Sequence, residues 1–343
     1  MRKRWKAFRY RLEYWGVRFL AGLIPRLPRS FALLFARGAG ASAAALDRHG
    51  HEVALTNLEA AFGNRYSPGA RERITRESYQ QFASTMVDLF WSPRVTPENF
   101  QQFVEFEGFD EFERTVGRGN PHIFACYHYG DFELLSLACG WVGITPHLIT
   151  QEFKNARLDP IFNHLRTRSG HQIVPRDGGI VRLYKALRRG GSVAILVDLA
   201  LQLHQPTVAI DCFGLKTSVT FAHAWLATRT GAPIVPAHAE PMSGGRVRVV
   251  LQPKLQIPSG ATHQEIAQLC WNRFEPVVRR NPSPWMWMYK YWRYEPENSA
   301  RRYPAYASPN PLFDDLIAQN SRRSHDLRRA GAGHLSSGVK GSV

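Results

Sequence analysis

Between residues 123 and 252 the chain alternates apolar runs of strand length with segments of helical length, a rhythm that few folds accept. The apolar runs fall at 123–127, 145–150, 172–174, 192–197, 232–237 and 247–252. Helices are predicted at 132–140, 155–169, 180–189, 218–230 and 263–280. Strands that alternate with helices in this way pair through crossovers, which put helices on both faces of the sheet. The expected fold is therefore α/β, a mixed, mostly parallel central sheet flanked by helices, preceded by an N-terminal helical segment.

That N-terminal segment is unusual in charge. Residues 1–45 hold ten Lys/Arg and a single acid, Glu13. Trp5, Phe8, Leu12, Trp15, Phe19 and Leu23 recur at steps of three and four, which sets one apolar stripe along a helix. Two readings stand level. The helix lies in a membrane interface, where each cation near anionic lipid contributes about 1 kcal/mol, or it packs its stripe on the protein's own core. A basic arm for nucleic acid is a third option. No stretch reaches the ~18 apolar residues of a spanning helix, because Arg18 and Pro25 break the best candidate. The formal net charge of +16 asks for an anionic partner without choosing among nucleic acid, phospholipid surface and phosphorylated substrate.

A second helical region is predicted at 54–87, interrupted at 67–69. The expected organisation is basic amphipathic, membrane-interface helices over 1–50, an α/β domain over 51–297, and a mostly disordered Arg/Ser/Gly-rich tail over 298–343. Cys126, Cys139, Cys212 and Cys270 are scattered without zinc-ligand spacing and read as reduced thiols facing the cytoplasm. Thirteen histidines include no H-E-x-x-H pattern, so no metal is expected.

The run at 123–127 stops at a histidine, and in an open α/β sheet the functional crevice lies at the carboxyl ends of strands. His128 therefore stands where ligands bind. Glu133 can reach it only if the histidine precedes a helix and Gly130 lets the chain bend between them. Asp131 suits the N-cap of that helix. A neutral imidazole held by a carboxylate takes a proton from a hydroxyl, and the absence of a G-x-S-x-G elbow makes that hydroxyl an external one. A lone histidine at a strand end is also commonly just hydrogen-bonded structure.

The surroundings resolve that ambiguity. His128-Tyr-Gly-Asp-Phe-Glu133 resembles the H-x4-D/E signature of the lysophospholipid acyltransferase superfamily. Gly170-His-Gln-Ile-Val-Pro-Arg176, Phe213-Gly214 with Thr217, and Ala232-Pro-Ile-Val-Pro236 resemble its later blocks in order. The chain is most similar to the bacterial lipid A late acyltransferases, through Asn57-Leu-Glu-Ala-Ala-Phe62, Asn155, Arg166-Thr-Arg-Ser-Gly170, Asp198 and Pro284-Trp-Met-Trp287. The resemblance implies transfer of a fatty acyl group from an acyl carrier protein or coenzyme A thioester to a lipid hydroxyl, with no cofactor. It makes His128 the base and Glu133 its orienting partner, and gives Arg166, Arg176, Asn155, Gly214 and Thr217 to substrate binding. It implies a monotopic protein at the cytoplasmic face of the bacterial inner membrane, whose partners are an anionic membrane surface, a lipid acceptor and the acyl donor, not nucleic acid.

The departures bear on the acceptor. Gln151 and Leu199 stand where close relatives carry arginine and glutamine, and the segment around Tyr289 and Tyr291 lacks a basic run often found there. A bis-phosphorylated lipid A precursor would be held less strongly, leaving glycolipid and phospholipid acceptors open. The aromatic cluster Trp285, Trp287, Tyr289, Tyr291, Trp292 and Tyr294 lines an acyl groove or lies at the bilayer surface, or else it packs on the core. A non-catalytic lipid-binding module of the same fold is the alternative function, though such a binder needs neither His128 nor Glu133.

Overall fold

The computed structural model describes residues 2–319, with side chains from residue 5 onward. Four helices come first: α1 (Arg2–Leu23), α2 (Arg29–Leu46), α3 (Arg48–Phe62) and α4 (Pro68–Trp91). The predicted break at 67–69 is a helix start, where the Ser67 hydroxyl accepts from the Ala70 amide and Pro68 occupies the first turn. The remaining elements are β1 (Val104–Glu107), α5 (Phe109–Thr115), β2 (Ile123–Cys126), α6 (Phe132–Trp141), β3 (His147–Ile149), α7 (Asp159–Arg166), β4 (Gln172–Val174) and α8 (Gly179–Arg188). After them come β5 (Val193–Leu196), β6 (Thr207–Cys212), β7 (Leu215–Thr220), α9 (Ala222–Thr230), β8 (Ile234–Pro241), β9 (Val247–Leu251) and α10 (His263–Arg280).

Seven strands form the main sheet in the order β1-β9-β8-β2-β5-β3-β4. The five from β8 to β4 run parallel, β9 folds back antiparallel on β8, and β1 runs parallel to β9. This is the mixed, mostly parallel sheet that the alternation required. At its centre β2 is buried on both faces. Ile123, Ala125 and Tyr127 enter one core with Leu183, Leu226 and Phe274, while Phe124 and Cys126 enter another with Leu134, Ala138 and Leu89.

The predicted helix at 218–230 begins only at Ala222, because residues 215–220 are a strand paired antiparallel with β6, from Thr207↔Thr220 to Cys212↔Leu215. Thr217, Val219 and Thr220 are β-branched and suit an extended chain. The two-residue turn, Phe213-Gly214, has both φ angles positive, at 54° and 77°, the geometry that matches hairpin twist. The hairpin gives Gly214 and Thr217, both expected to bind substrate, structural tasks. Gly214 makes the turn, and the Thr217 hydroxyl, buried, donates to the Tyr291 carbonyl.

Part of the expected tail is packed. Tyr303 and Phe313 are buried, the Tyr306 hydroxyl donates to Asn57, and Arg301 donates to the Phe213 carbonyl at 2.7 Å. The rest of the expected tail, 320–343, lies outside the described residues. All four cysteines are buried and unbridged.

The stripe on α1 faces away from the protein. Trp5, Trp15 and Phe19 are 67%, 63% and 65% exposed, whereas Tyr14, Val17, Leu20 and Ala21 on the other side pack on the core. Exposed Phe31, Leu34 and Phe35 of α2 add to this apolar surface. Among the described residues no helix is long and apolar enough to cross a membrane.

If Gly214 serves the turn and not a ligand, Gly214→Ala forces a side chain into a left-handed backbone and against Arg301. The variant should lose about 1 to 2 kcal/mol of stability in a denaturant melt. A change confined to substrate KM, with stability intact, would return Gly214 to the binding machinery.

Candidate active site

The site follows from strand register. In the parallel pair of β2 and β5, Cys126 stands opposite Leu196, so the residues two places beyond each strand meet at the carboxyl edge. Those residues are His128 and Asp198. The Val197 amide donates to the Cys126 carbonyl at 2.9 Å and continues the pairing one step past the strands. Below the histidine, Tyr127 stacks on Phe274 with ring centroids 3.8 Å apart and donates its hydroxyl to the Cys270 carbonyl, which fixes the strand end.

The Asp198 side chain is fully buried and accepts three hydrogen bonds. Its donors are His128 Nδ1 at 2.9 Å, the His128 backbone amide at 3.0 Å and Trp285 Nε1 at 3.0 Å. A carboxylate only accepts, so Nδ1 carries the ring proton and Nε2 is the basic nitrogen. Among the described residues Nε2 has no hydrogen-bond partner, and the ring, packed edge-on against Phe132 at 5.0 Å, lines a cavity.

Gly130 turns the chain sharply between histidine and helix. Its φ is +58°, and a Cβ there would collide with the Ala239 carbonyl, so no other residue makes this bend without strain. Asp131 then caps α6, accepting from the Leu134 amide at 2.8 Å. Burial, with Asp88 beside it, pushes the Asp131 carboxyl well above the usual range. Asp88 in turn is gripped by Arg29 of α2 through two hydrogen bonds, one of them 2.9 Å. The N-terminal helices thus brace the turn after His128 from behind.

Glu133 is not the partner of His128. From the first turn of α6 its carboxylate pairs with Arg166, accepting from Nε at 3.0 Å on both oxygens and from Nη2. The helix begins only at Phe132, so Glu133 sits on its first turn while His128 is held back toward β5. Glu133, Arg166 and His128 all line the same cavity. It measures about 560 Å³, within the usual range for a ligand site. Its wall is mostly apolar, including Phe82, Met86, Phe124, Leu135, Leu148 and Phe162, and Gln151, Glu152 and Lys154 add polar groups.

Other expected substrate contacts lie elsewhere. Asn155 is buried, and its amide donates to the Tyr10 carbonyl at 2.9 Å and to Glu13 at 3.2 Å, so it fastens α1 to the loop after β3. Arg176 follows β4, is exposed, and is not part of the cavity wall. Gly214 and Thr217, in their hairpin, are likewise absent from it. Trp285, Trp287, Tyr291 and Trp292 are almost completely buried and form core, not groove or surface, although Met286 between them reaches the cavity. The sequence reading gave Asp198 no role. The signal was there, since it stands two residues beyond the end of its strand, as His128 does.

A family model described as bacterial lipid A biosynthesis acyltransferase matches residues 1–294. The lipid A biosynthesis myristoyltransferase of Escherichia coli strain K12 is 24% identical over 294 residues, 83% of this chain and 88% of that protein. Phosphatidylinositol mannoside acyltransferase from two strains of Mycobacterium tuberculosis, CDC 1551 and H37Rv, is 24% identical over 198 residues, 57% of this chain. The match spans 61% of the length of the mycobacterial relatives. With a match over nearly its whole described length, the chain belongs to the bacterial lipid A biosynthesis acyltransferase family.

Proposed function

We propose that this protein is a membrane-associated O-acyltransferase, moving a fatty acyl group from an acyl carrier protein or coenzyme A thioester to a hydroxyl of a lipid A precursor or a related glycolipid or phospholipid. The observation that carries the reading is an imidazole whose Nδ1 is tied to a buried carboxylate while Nε2 stands free on the wall of an apolar cavity. Family membership supports it. A purely lipid-binding module has no use for such a polarised ring.

In the reaction, Nε2 of His128 takes the proton of the acceptor hydroxyl as its oxygen attacks the thioester carbonyl. Asp198 steadies the imidazolium that forms. The tetrahedral oxyanion lies toward the start of α6, where the Phe132 and Glu133 amides have no partner among the described residues and the helix dipole favours negative charge. Collapse breaks the carbon–sulfur bond, and the leaving thiolate recovers the proton from His128. No protein nucleophile is needed.

Arg166 supplies positive charge beside the reacting groups. Glu133 occupies Nε and Nη2, which fixes the guanidinium plane and leaves Nη1 for a phosphate on acceptor or donor. Gln151 on the cavity wall offers no charge, which supports an acceptor with fewer phosphates than a bis-phosphorylated lipid A precursor. Membrane association rests on the exposed stripe of α1 and its neighbours on α2, an apolar surface amid basic residues that nothing in the described chain covers.

Three outcomes follow for the purified protein. His128→Ala should lower acyl transfer to a membrane lipid extract by about 10²-fold or more while the protein stays folded, with a lower melting temperature because the buried Asp198 loses a donor, and Asp198→Asn should lower kcat comparably with little change in KM. Full activity in either variant refutes the base. Glu133→Gln breaks a buried ion pair, so it should cost about 3 kcal/mol of stability and raise acceptor KM more than it lowers kcat; a pure kcat effect would restore Glu133 to the histidine. Replacing Trp5, Trp15 and Phe19 together by serine should release the protein from anionic vesicles in flotation, and unchanged flotation would remove the membrane role of α1.

A further inference from the structure

Helix α8 and the turn before it carry a block of uncompensated charge. Residues 176–189 hold five cations, Arg176, Arg182, Lys185, Arg188 and Arg189, against one acid, Asp177. All five are exposed, and none makes an ion pair or a side-chain hydrogen bond among the described residues. Leu183, Ala186 and Leu187 hold the helix to the core, which turns Arg182, Lys185 and Arg188, at steps of three, outward together with Val181.

This charge stands beside the edge of the sheet that carries His128. Gly179 packs so closely on β3 that a Cβ there would come within 2.8 Å of the Ile149 side chain, and Ile149, Thr150 and Gln151 line the cavity. The registers Val174↔Ile149, His147↔Val193 and Ala125↔Ile195 set Arg176 level with Tyr127, one residue short of His128. Three strand spacings lie between them, about 14 Å at ~4.8 Å each. Leu183 and Leu187 enter the core that holds Ile123, whereas Tyr14 and Val17 of α1 pack on the core of the opposite face. A bilayer seated on α1 therefore approaches from the other side of the sheet.

We propose that the outer face of α8 docks an acidic acyl carrier protein, whose pantetheine arm crosses the sheet edge at Ile149 and delivers the thioester to the cavity, an inference that rests on the acyl-transfer reading of that cavity. Charge complementarity selects this occupant. A membrane-seating helix shows large side chains such as Trp5, Trp15 and Phe19 of α1, while α8 offers Val181 among its cations. Coenzyme A has no protein surface with which to cover the stripe. Because rim charges act mainly on encounter, the contact belongs in KM and its salt dependence, leaving kcat to the site.

The test follows transfer to a membrane lipid extract by the full-length protein, with dodecanoyl, tetradecanoyl and hexadecanoyl thioesters of either acyl carrier protein or pantetheine. Combining Arg182→Glu, Lys185→Glu and Arg188→Glu should raise the KM for the carrier protein about tenfold or more, with kcat and the pantetheine KM unchanged. Arg76→Glu, Arg114→Glu and Arg273→Glu together, exposed cations on other helices, alter net charge equally and should leave both KM values in place. In wild type, salt raised from about 0.05 to about 0.5 M should lift the KM for the carrier protein several-fold and spare that for pantetheine. That measurement needs no variant. An unmoved carrier KM in the folded α8 variant overturns the docking face, as does an equal rise in the control triple. Release of the α8 variant from anionic vesicles, with both donors used as before, would give the face to the membrane instead. Wild type that uses the pantetheine thioester but not the carrier protein also overturns it, whereas wild type that transfers from neither overturns the acyl-transfer reading beneath the proposal.

Discussion

The Asp198 carboxylate, with three N–H donors converging on it, is the contact around which the rest is arranged. It joins the ends of the two central parallel strands and draws in Trp285 from the last segment of the domain. A buried carboxylate is tolerated only when its lone pairs are filled, so strand pairing, the imidazole and the indole must be in place together. That requirement couples the catalytic geometry to completion of the fold. The aromatic cluster around Trp285, with Tyr291 stacked on it at 3.9 Å, is the packing that holds the indole to this duty.

Two carboxylates near one histidine have separated their tasks by geometry. Asp198 lies in the plane of the strands and addresses the ring, whereas Glu133 lies on a helix and addresses a guanidinium. The H-x4-E spacing thus describes two functional groups that share a cavity without touching. In the proposed reaction one serves the proton transfer; the other holds a charge in position. The division suits acyl transfer to a phosphorylated or polar lipid, where the base and the anchoring cation act on different parts of the substrate.

The central sheet was legible because strand-length apolar runs and helical spacing are local properties, and so were the Asp131 cap and the stripe on α1. The hairpin of β6 and β7 was not. Its Thr-Ser-Val-Thr stretch runs directly into a helix, and only the turn at Phe213-Gly214, where a non-glycine residue takes a positive φ, marks the boundary. Partner choice was the least legible feature, because strand order decides it: β5 lies beside β2 although some 70 residues separate Asp198 from His128. The contacts of Asn155 were hidden for the same reason, its partners being on a helix more than a hundred residues upstream. The packed stretch carrying Tyr303, Tyr306 and Phe313 was obscured by the polar composition around it.

Asn155 carries a consequence beyond its own contacts. Its amide has only two hydrogens, and α1 takes both, while the neighbouring Gln151, Glu152, Phe153 and Lys154 form part of the cavity rim. Helix and rim are thereby geared to one another. A displacement of α1 is therefore passed, through one side-chain amide, to the segment that lines the cavity.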